Sequence, residues 1–307
     1  MVFGIIICFK RNNTVFLHDC FTKAKHLTHD MNTEQGYLLF VPSGGLGNRL
    51  RALASAVWLT RATGTQLQTI WFQDWALHAP FHTLFEDNSQ LCLREASWRD
   101  LLVYDRPRKR NLFVPKWFQN RLFSQRIEEY EVTPLKKRGF DFVQWVKGKR
   151  SYMSCYQDFG EVPNALYAEL FHPIAALEQR IEENLQKVGP HPIGIHIRRT
   201  DNQASIALSP IQLFIDRAEE ILKEHPDQRF YLATDDEPTK LAFKQRFGEH
   251  IITASNKAER GNTAGIQDAV VEMFTLARME EIYGTADSSF SVIASRIGNN
   301  RLTILQQ

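Results

Sequence analysis

The segment with the clearest chemical potential is Ile195-His-Ile-Arg-Arg-Thr-Asp201, which places two adjacent arginines, Arg198 and Arg199, directly after a predicted strand. Alternation along the strand should point His196 and Arg198 to the same face of the sheet. Two guanidinium groups at the carboxyl end of a strand can bind a diphosphate through fork-like charged hydrogen bonds, and Asp201 can hold one of them in place. A surface ion-pair cluster is the alternative, and these residues alone do not decide between the two.

Acidic residues follow the next predicted strand, in the segment Tyr231-Leu-Ala-Thr-Asp-Asp-Glu237. Carboxylates here can accept hydrogen bonds from a ribose or a base, and they can equally cap the helix that follows. Capping is the more common use of an aspartate before a helix. We therefore assign capping to Asp236 and leave Asp235 open between the two roles.

A third strand end runs into a helix through Ala286-Asp-Ser-Ser-Phe-Ser291. Backbone N–H groups at the helix start, with the hydroxyl groups of Ser288 and Ser289, would form an anion site, and an ordinary serine N-cap is the alternative. Upstream, Glu272 lies between apolar neighbours in a predicted helix. Its carboxylate therefore either faces solvent or is held by a ligand.

The glycine-rich loop Gly44-Gly-Leu-Gly-Asn48 follows the first predicted strand, and its glycines would let a backbone approach a ligand closely. The loop matches neither the G-x-G-x-x-G fingerprint nor a P-loop. No D-x-D triplet occurs in the sequence. Arginine is therefore favoured over a bound divalent metal as the counter-charge of a diphosphate, and we predict no metal site.

Alternating strands and helices should position these segments. An apolar strand over 37–41, a helix over 49–63 that ends at Gly64 and a strand over 65–72 form one β-loop-α-β unit, which requires parallel pairing. After Pro163, we predict helices over 164–187, 209–225, 237–247, 265–280 and 288–297. Ser209 should cap the helix over 209–225. The predicted strands of this half are 192–197, 229–233, 250–253 and 282–285. We expect an α/β protein with a lead-in segment 1–36 and two Rossmann-like domains, 37–165 and 166–307, that face a cleft.

Charge is distributed unevenly along a chain whose formal net charge is only +2. Residues 1–165 carry +7 and residues 166–307 carry −5, which fits two domains that meet at a cleft. The stretch from Arg106 to Arg138 is basic. A solvated face is favoured for it, and attraction of a phosphorylated or acidic acceptor is the functional alternative. With an acidic C-terminal half, we predict no nucleic-acid partner.

The four cysteines, Cys8, Cys20, Cys92 and Cys155, form no CxxC pair, which argues against a zinc site or a disulfide scaffold and favours a reducing compartment. The longest apolar run, Val2 to Phe9, is too short to span a bilayer, which needs about 20 residues. We therefore expect a soluble cytoplasmic protein of bacterial type without a transmembrane segment, and attachment to a membrane surface is the alternative.

Together these segments resemble the GDP-fucose-dependent fucosyltransferases. The segment 196–201 is similar to the H-x-R-R-x-D signature shared by the α1,2- and α1,6-fucosyltransferases, including the rhizobial nodulation enzymes, and in looser form by protein O-fucosyltransferases. The segments 231–236 and 287–291 follow in the order of the family's second and third motifs, and 44–49 resembles the Gly-Gly-Leu-Gly-Asn opening of the α1,2 branch. The resemblance is concentrated in residues 190–297, with a weaker match over 37–86.

The resemblance implies a GT-B-like fold and an inverting, metal-independent transfer of fucose from GDP-fucose, without a cofactor, to a hydroxyl group of a glycan or peptide acceptor. Arg198 would bind the β-phosphate with help from Arg199, and His196 and Glu272 would contact the guanine nucleotide. The remaining donor-binding residues would be Asp201, Asp235, Ser288, Ser289, Phe290, Gly45, Gly47 and Asn48.

One departure from the family leaves the acceptor base unassigned. The α1,6 enzymes carry a lysine and a glutamate a few residues after the arginines, with the glutamate as base, whereas 202–209 contains no charged residue here. The candidates in the other domain lie in an aromatic segment whose rings can stack on sugars, and each is also typical of a structural residue: Asp74, His78, His82 and Glu86.

Two other functions stay open at this point. The missing base favours a catalytically inactive nucleotide-sugar or glycan-binding protein on the same scaffold. A different α/β enzyme, such as a dinucleotide oxidoreductase, is disfavoured by the imperfect glycine fingerprint and the double arginine.

Overall fold

The computed structural model describes residues 35–108, 113–200, 203–254 and 261–307. The predicted lead-in up to residue 34 and Asp201 lie outside the described residues. Within them, the chain forms two five-stranded sheets whose strand pairs are all parallel. The first has the order β3-β2-β1-β5-β4, with strands β1 (Tyr37–Pro42), β2 (Gln66–Trp71), β3 (Leu93–Glu95), β4 (Gln125–Ile127) and β5 (Arg150–Cys155).

The predicted β-loop-α-β unit is confirmed. Helix α1 (Leu46–Thr63) connects β1 to β2, which lie side by side and parallel. Gly64 ends the helix in the left-handed region, with φ 64°, and its N–H donates to the carbonyl group of Thr60. The helix begins at Leu46 rather than Arg49, because the extended backbone of Gly45 forms its N-cap.

The sequence predicted no elements within 73–160, and the structure places three short helices there besides β3, β4 and β5. They are α2 (Phe113–Leu122), α3 (Val132–Lys137) and α4 (Phe142–Val146). β3 and β4 have three residues each, so they leave no periodic pattern that a sequence reading could detect.

The second sheet has the order β10-β9-β6-β7-β8, so β6 lies at its centre. All four strands predicted in this half are confirmed, and a fifth, β10, follows the last helix; the strands are β6 (Ile193–Ile197), β7 (Phe230–Thr234), β8 (Ile251–Thr253), β9 (Glu281–Thr285) and β10 (Arg301–Leu305). The helices are α5 (Asn164–Leu170), α6 (Ala175–Val188), α7 (Gln203–Leu208), α8 (Ile211–Glu224), α9 (Glu237–Phe247), α10 (Thr263–Ala277) and α11 (Ser289–Gly298).

Two details of this half were predicted wrongly. The helix expected over 164–187 is divided into α5 and α6, because Pro173 lies between them and cannot continue a helix. Ser209 does not cap α8, whose N-cap is Pro210. Instead, the Ser209 hydroxyl donates to the carbonyl group of Leu305 (2.6 Å) and accepts from the N–H of Ala286 (3.0 Å), which joins the ends of β9 and β10.

One apolar core extends from α1 into the helices of the second sheet. Buried side chains of α1 belong to the same cluster as Val271 of α10 and Ile293 of α11. Arg296 strengthens the connection by donating to the carbonyl group of Val162 (2.8 Å) and the side chain of Asn164 (3.2 Å). The boundary expected after residue 165 stays a prediction. Among the described residues, no helix combines the length and the apolar character that crossing a membrane requires.

Candidate functional site

A cleft of about 1150 Å³ lies beyond the carboxyl ends of both sheets. In open parallel sheets this is where ligands bind. Most of the residues singled out from the sequence line this cleft together, although they come from five separate segments: Gly45, Gly47, Asn48, His196, Arg198, Asp235, Glu272, Ser288, Ser289 and Phe290.

Arg198 follows the central strand β6 and is fixed by the strands on both sides. The Thr285 hydroxyl at the end of β9 accepts from the Arg198 N–H (3.1 Å) and donates to the carbonyl group of His196 (2.9 Å). On the other side, Arg198 Nε lies 3.1 Å from Asp235 Oδ2 at the end of β7. The side chain keeps 21 % of its surface exposed, toward the cleft. A charged hydrogen-bond donor is thus held at the carboxyl end of the strands, where parallel sheets bind ligands.

The adjacent aspartates after β7 have separate roles. Asp236 is the N-cap of α9: its Oδ2 accepts from the N–H (2.9 Å) and the hydroxyl (2.6 Å) of Thr239, as predicted. Asp235 accepts from the Arg199 N–H (2.8 Å) and the Thr200 hydroxyl (2.6 Å) besides its contact with Arg198. Asp235 therefore holds the arginine loop in place.

Two helix N-termini meet at the cleft. Ser288 is the N-cap of α11, and its side chain makes no capping hydrogen bond. Gly45, the N-cap of α1, has no side chain to offer one. A Cβ atom on Gly47 would lie 3.4 Å from the carbonyl oxygen of Ser289, so the two helix starts are in contact. N–H groups and helix dipoles from both halves converge there, which favours an anion.

The turn into α11 has an unusual backbone. Asp287, which lines the cleft, adopts the left-handed region with φ 53°. Such a conformation costs a residue with a Cβ about 1–2 kcal/mol, and strain of this kind concentrates at functional sites.

His196 forms an apolar, uncharged wall of the cleft. Its ring stacks on Phe290, with centroids 5.0 Å apart and planes inclined by 22°. Burial, with a smaller contribution from the neighbouring charge of Arg198, lowers the pKa of His196 to about 4. The ring is therefore neutral near pH 7. Its buried Nδ1 has no hydrogen-bond partner among the described residues, so it is available to a ligand.

Glu272, on α10, faces the cleft rather than open solvent. Burial raises the pKa of its carboxyl group to about 8, and the positive charge of Lys240 opposes this rise only in part. Within the described residues no hydrogen bond to this carboxyl group is found. A ligand with N–H donors would supply the missing partners.

Several predicted site residues do not line the cleft. The Arg199 guanidinium reaches the carbonyl group of Ser209 (3.4 Å), and Asp201 lies outside the described residues. Asp74 is buried, pairs with Arg49 (2.9 Å) and belongs to the framework of its loop. The other candidate bases, which have exposed side chains, are His78, His82 and Glu86. The catalytic roles expected of all these residues stay predictions, without support from this geometry.

The N-terminal wall of the cleft contains residues that the sequence did not single out for it: Arg51, Trp75, Arg106 and Asp158. The Arg106 guanidinium stacks on the exposed Trp75 ring at 5.0 Å. Asp158 accepts from Lys136 Nζ through its backbone carbonyl oxygen (2.7 Å) and through Oδ1 (3.4 Å), and Arg51 Nη1 lies 4.0 Å from the same Oδ1. Trp75 lies in the aromatic segment and Arg106 begins the basic stretch, but nothing in the sequence marks Asp158.

No family model matches the chain, and no curated protein matches its sequence. Solved structures match it at low identity. FUT1 of Arabidopsis thaliana, a point mutant in complex with GDP, is 16 % identical, with a TM-score of 0.61 over 93 % of this chain and 74 % of its own. A NodZ α-1,6-fucosyltransferase soaked with GDP-fucose is 15 % identical, with a TM-score of 0.56 over 86 % and 92 %.

POFUT1 in complex with GDP is also similar, at 12 % identity and a TM-score of 0.53 over 90 % of this chain and 99 % of its own. These likenesses cover 86–93 % of this chain, although the identities are low. They confirm the expected fold: the chain has the GT-B-like arrangement of two Rossmann-like α/β units that these proteins share.

Proposed function

We propose that the protein is an inverting, metal-independent glycosyltransferase that transfers fucose from GDP-fucose to a hydroxyl group of a glycan or peptide acceptor. The observation that carries this proposal is the position of Arg198, at the carboxyl end of β6 and in the same cleft as the start of α11. The similar structures support the choice of donor, since they were obtained with GDP or GDP-fucose.

The chemistry follows from where charge develops. The acceptor oxygen attacks C1 of fucose while the bond between C1 and the β-phosphate oxygen breaks, so GDP departs with additional negative charge. The Arg198 guanidinium and the N–H groups at the start of α11 would stabilise this charge. Because both are fixed in the fold before the reaction, little reorganisation is needed as the charge develops.

Replacement of Arg198 tests this role. In an assay of GDP release from GDP-fucose with a broad acceptor panel, Arg198→Ala should lower turnover on the order of 10²–10³-fold, as for loss of one preorganised donor. Arg246→Ala is the matched control, because Arg246 is 54 % exposed and does not line the cleft. Near-normal turnover of Arg198→Ala would contradict the proposal.

Activity should persist in EDTA. Loss of activity on chelation that manganese restores would contradict metal independence.

The acceptor hydroxyl group must also lose a proton. Among the carboxylates that line the cleft, Asp158 is the one on the N-terminal side, where the acceptor would enter, and we assign the base role to it. Asp158→Asn should lower kcat by about 10²-fold and leave GDP affinity unchanged. Unchanged kcat would remove Asp158 from the mechanism. If the wild type binds GDP-fucose and releases no GDP with any acceptor, an inactive binding protein becomes the better description.

A further inference from the structure

A second cavity, of about 430 Å³, lies beside the edge strand β4, away from the donor cleft. Its volume is within the range of small-molecule sites. It belongs to the basic stretch for which the sequence left a solvated face and an acidic acceptor as alternatives. The residues around it are Arg126, Ile127, Tyr130, Glu131, Pro134, Leu135, Arg138, Phe140 and Trp145.

The lining suits a sugar ring. Three aromatic residues, Tyr130, Phe140 and Trp145, border the cavity, and Ile127 is a buried apolar neighbour. Tyr130 is 59 % exposed, so its ring is accessible to a ligand in the cavity. Aromatic rings offer an apolar face to the C–H groups of a sugar, and tyrosine and tryptophan can also hydrogen-bond to its hydroxyl groups.

The charges of the cavity favour an anionic group. Arg138 is exposed and has no ion pair within the described part of the chain. Arg126 donates through Nε to Asn120 (2.9 Å), and its Nη1 lies 3.7 Å from Glu128 without a hydrogen bond. Glu131 is the one acidic residue of the lining and accepts from the N–H of Glu128 (2.7 Å), so the two arginines leave the lining with a formal charge of +1.

Two residues that are adjacent in sequence to the cavity lining contact the N-terminal wall of the cleft. Lys136, between Leu135 and Arg138 on the chain, binds Asp158 of the cleft wall. Glu129, which precedes Tyr130, pairs with Arg106 of the same wall. These two contacts place the lining of the cavity beside the N-terminal wall of the cleft.

We propose that this cavity is a distal acceptor subsite that binds a sugar residue carrying an anionic group, such as a carboxylate or a phosphate. Arg138 and Arg126 bind the anion, and Tyr130 and Trp145 stack on the ring. This inference rests on the proposed function, since it identifies the class of acceptor whose other end reaches the donor cleft.

Binding of oligosaccharides to the full chain tests the proposal. The probes are tetragalacturonate, its neutral methyl ester, a mannopentaose phosphate and tetraglutamate, each titrated by calorimetry. Tetragalacturonate or the mannopentaose phosphate should bind, and whichever binds identifies the anionic group. Arg138→Ala and Tyr130→Ala should each weaken that binding about tenfold. The controls are Lys137→Ala and Trp98→Ala, both exposed and outside the lining, which should stay within about twofold of the wild type.

The outcomes separate this inference from the proposed function, because GDP affinity is measured on the same samples and should be unchanged in all four variants. A wild type that binds GDP-fucose but neither charged sugar overturns the subsite alone. Equal binding of the methyl ester, equal binding of tetraglutamate, or an equal loss in Lys137→Ala also overturns it, since each would show that a specific anionic sugar is not recognised. A wild type that binds a charged sugar at this cavity but no GDP-fucose overturns the proposed function instead.

Discussion

Each half of the molecule places an arginine–aspartate pair near the carboxyl end of its sheet, and the two pairs differ in what surrounds them. Arg49 Nη2 lies 2.9 Å from Asp74 Oδ1, and neither side chain is exposed by more than 1 %. Arg198 Nε lies 3.1 Å from Asp235 Oδ2, with 21 % and 14 % exposed. The same two residue types thus form a closed framework in one half and a wall of the cleft in the other.

The difference lies in how the guanidinium group is used. Every nitrogen of Arg49 has a neighbour: Nε donates to the carbonyl oxygen of Gly44 (2.8 Å), Nη1 to that of Phe72 (2.5 Å), and Nη2 faces Asp74. Its Cζ atom also lies 4.7 Å from the centroid of the Trp71 ring. Arg198, in contrast, borders the open cleft. A pair enclosed on all sides stabilises the fold, whereas a pair open on one side can serve a ligand.

The largest expected difference between the pairs is in stability. Arg49→Met should lower the free energy of unfolding by about 3–5 kcal/mol, because it removes from the buried Asp74 carboxylate the cation at 2.9 Å and leaves Arg106 at 3.6 Å. Arg198→Met should change it by about 1 kcal/mol or less, because that pair is partly exposed. Urea denaturation of both variants measures the difference. Equal losses in the free energy of unfolding would show that the two pairs contribute equally to stability. Adding Asp74→Asn to Arg49→Met should recover part of the loss.

The sequence predicted the open pair better than the closed one, for a physical reason. The alternation of strand side chains places His196 and Arg198 on one face, and capping chemistry assigns Asp236; both are local rules and both hold. The partner of Arg49 depends instead on how α1 packs over the loop after β2, which no local pattern records. The sequence therefore offers Asp74 as a candidate base without indicating its partner, and the base role stays a prediction.

The cleft itself was predictable only in part for the same reason. Its C-terminal wall is built from strand ends that the sequence marks, whereas its N-terminal wall depends on a region of short strands and 3-10 turns. Asp158 reaches the cleft because the segment after β5 folds back toward Lys136. Such a contact follows from tertiary packing and leaves no signature in spacing or composition.

A second prediction concerns the C-terminal half and the carboxyl group of Glu272. Because the pKa of Glu272 is raised to about 8, its contribution to stability is complete below pH 4.5 and is lost as pH rises through 8. Thermal unfolding from pH 6 to 9 should therefore show Glu272→Gln gaining on the wild type as pH rises. The N-terminal half offers a control, because Asp100→Asn removes a carboxyl group that lies 2.6 Å from the guanidinium of Arg94. The stability of Asp100→Asn relative to the wild type should not increase over this pH range.

The affinity for GDP should also depend on the protonation of the Glu272 carboxyl group. If the Glu272 carboxylate accepts from N–H donors of the guanine, binding releases a proton below pH 8, and affinity rises by up to about tenfold per pH unit from pH 6 to 8. Glu272→Gln should bind more weakly and without this pH dependence. A wild-type affinity that is flat over this range would separate Glu272 from the nucleotide.

The smallest expected effects distinguish Gly44 and Gly45, two adjacent glycines of the loop between β1 and α1. Gly44 has φ 82°, a conformation that disfavours a Cβ, so Gly44→Ala should cost about 1–2 kcal/mol of stability. Gly45 has an ordinary φ of −75°, and a Cβ there would meet nothing closer than the Ala76 carbonyl oxygen at 3.9 Å. Gly45→Ala should therefore unfold within about 0.5 kcal/mol of the wild type and yet bind GDP more weakly, because its methyl group enters the cleft. If Gly45→Ala instead keeps full GDP affinity, the N-terminal loop forms only a framework, as the Arg49 pair does, and the donor contacts belong to the C-terminal half alone.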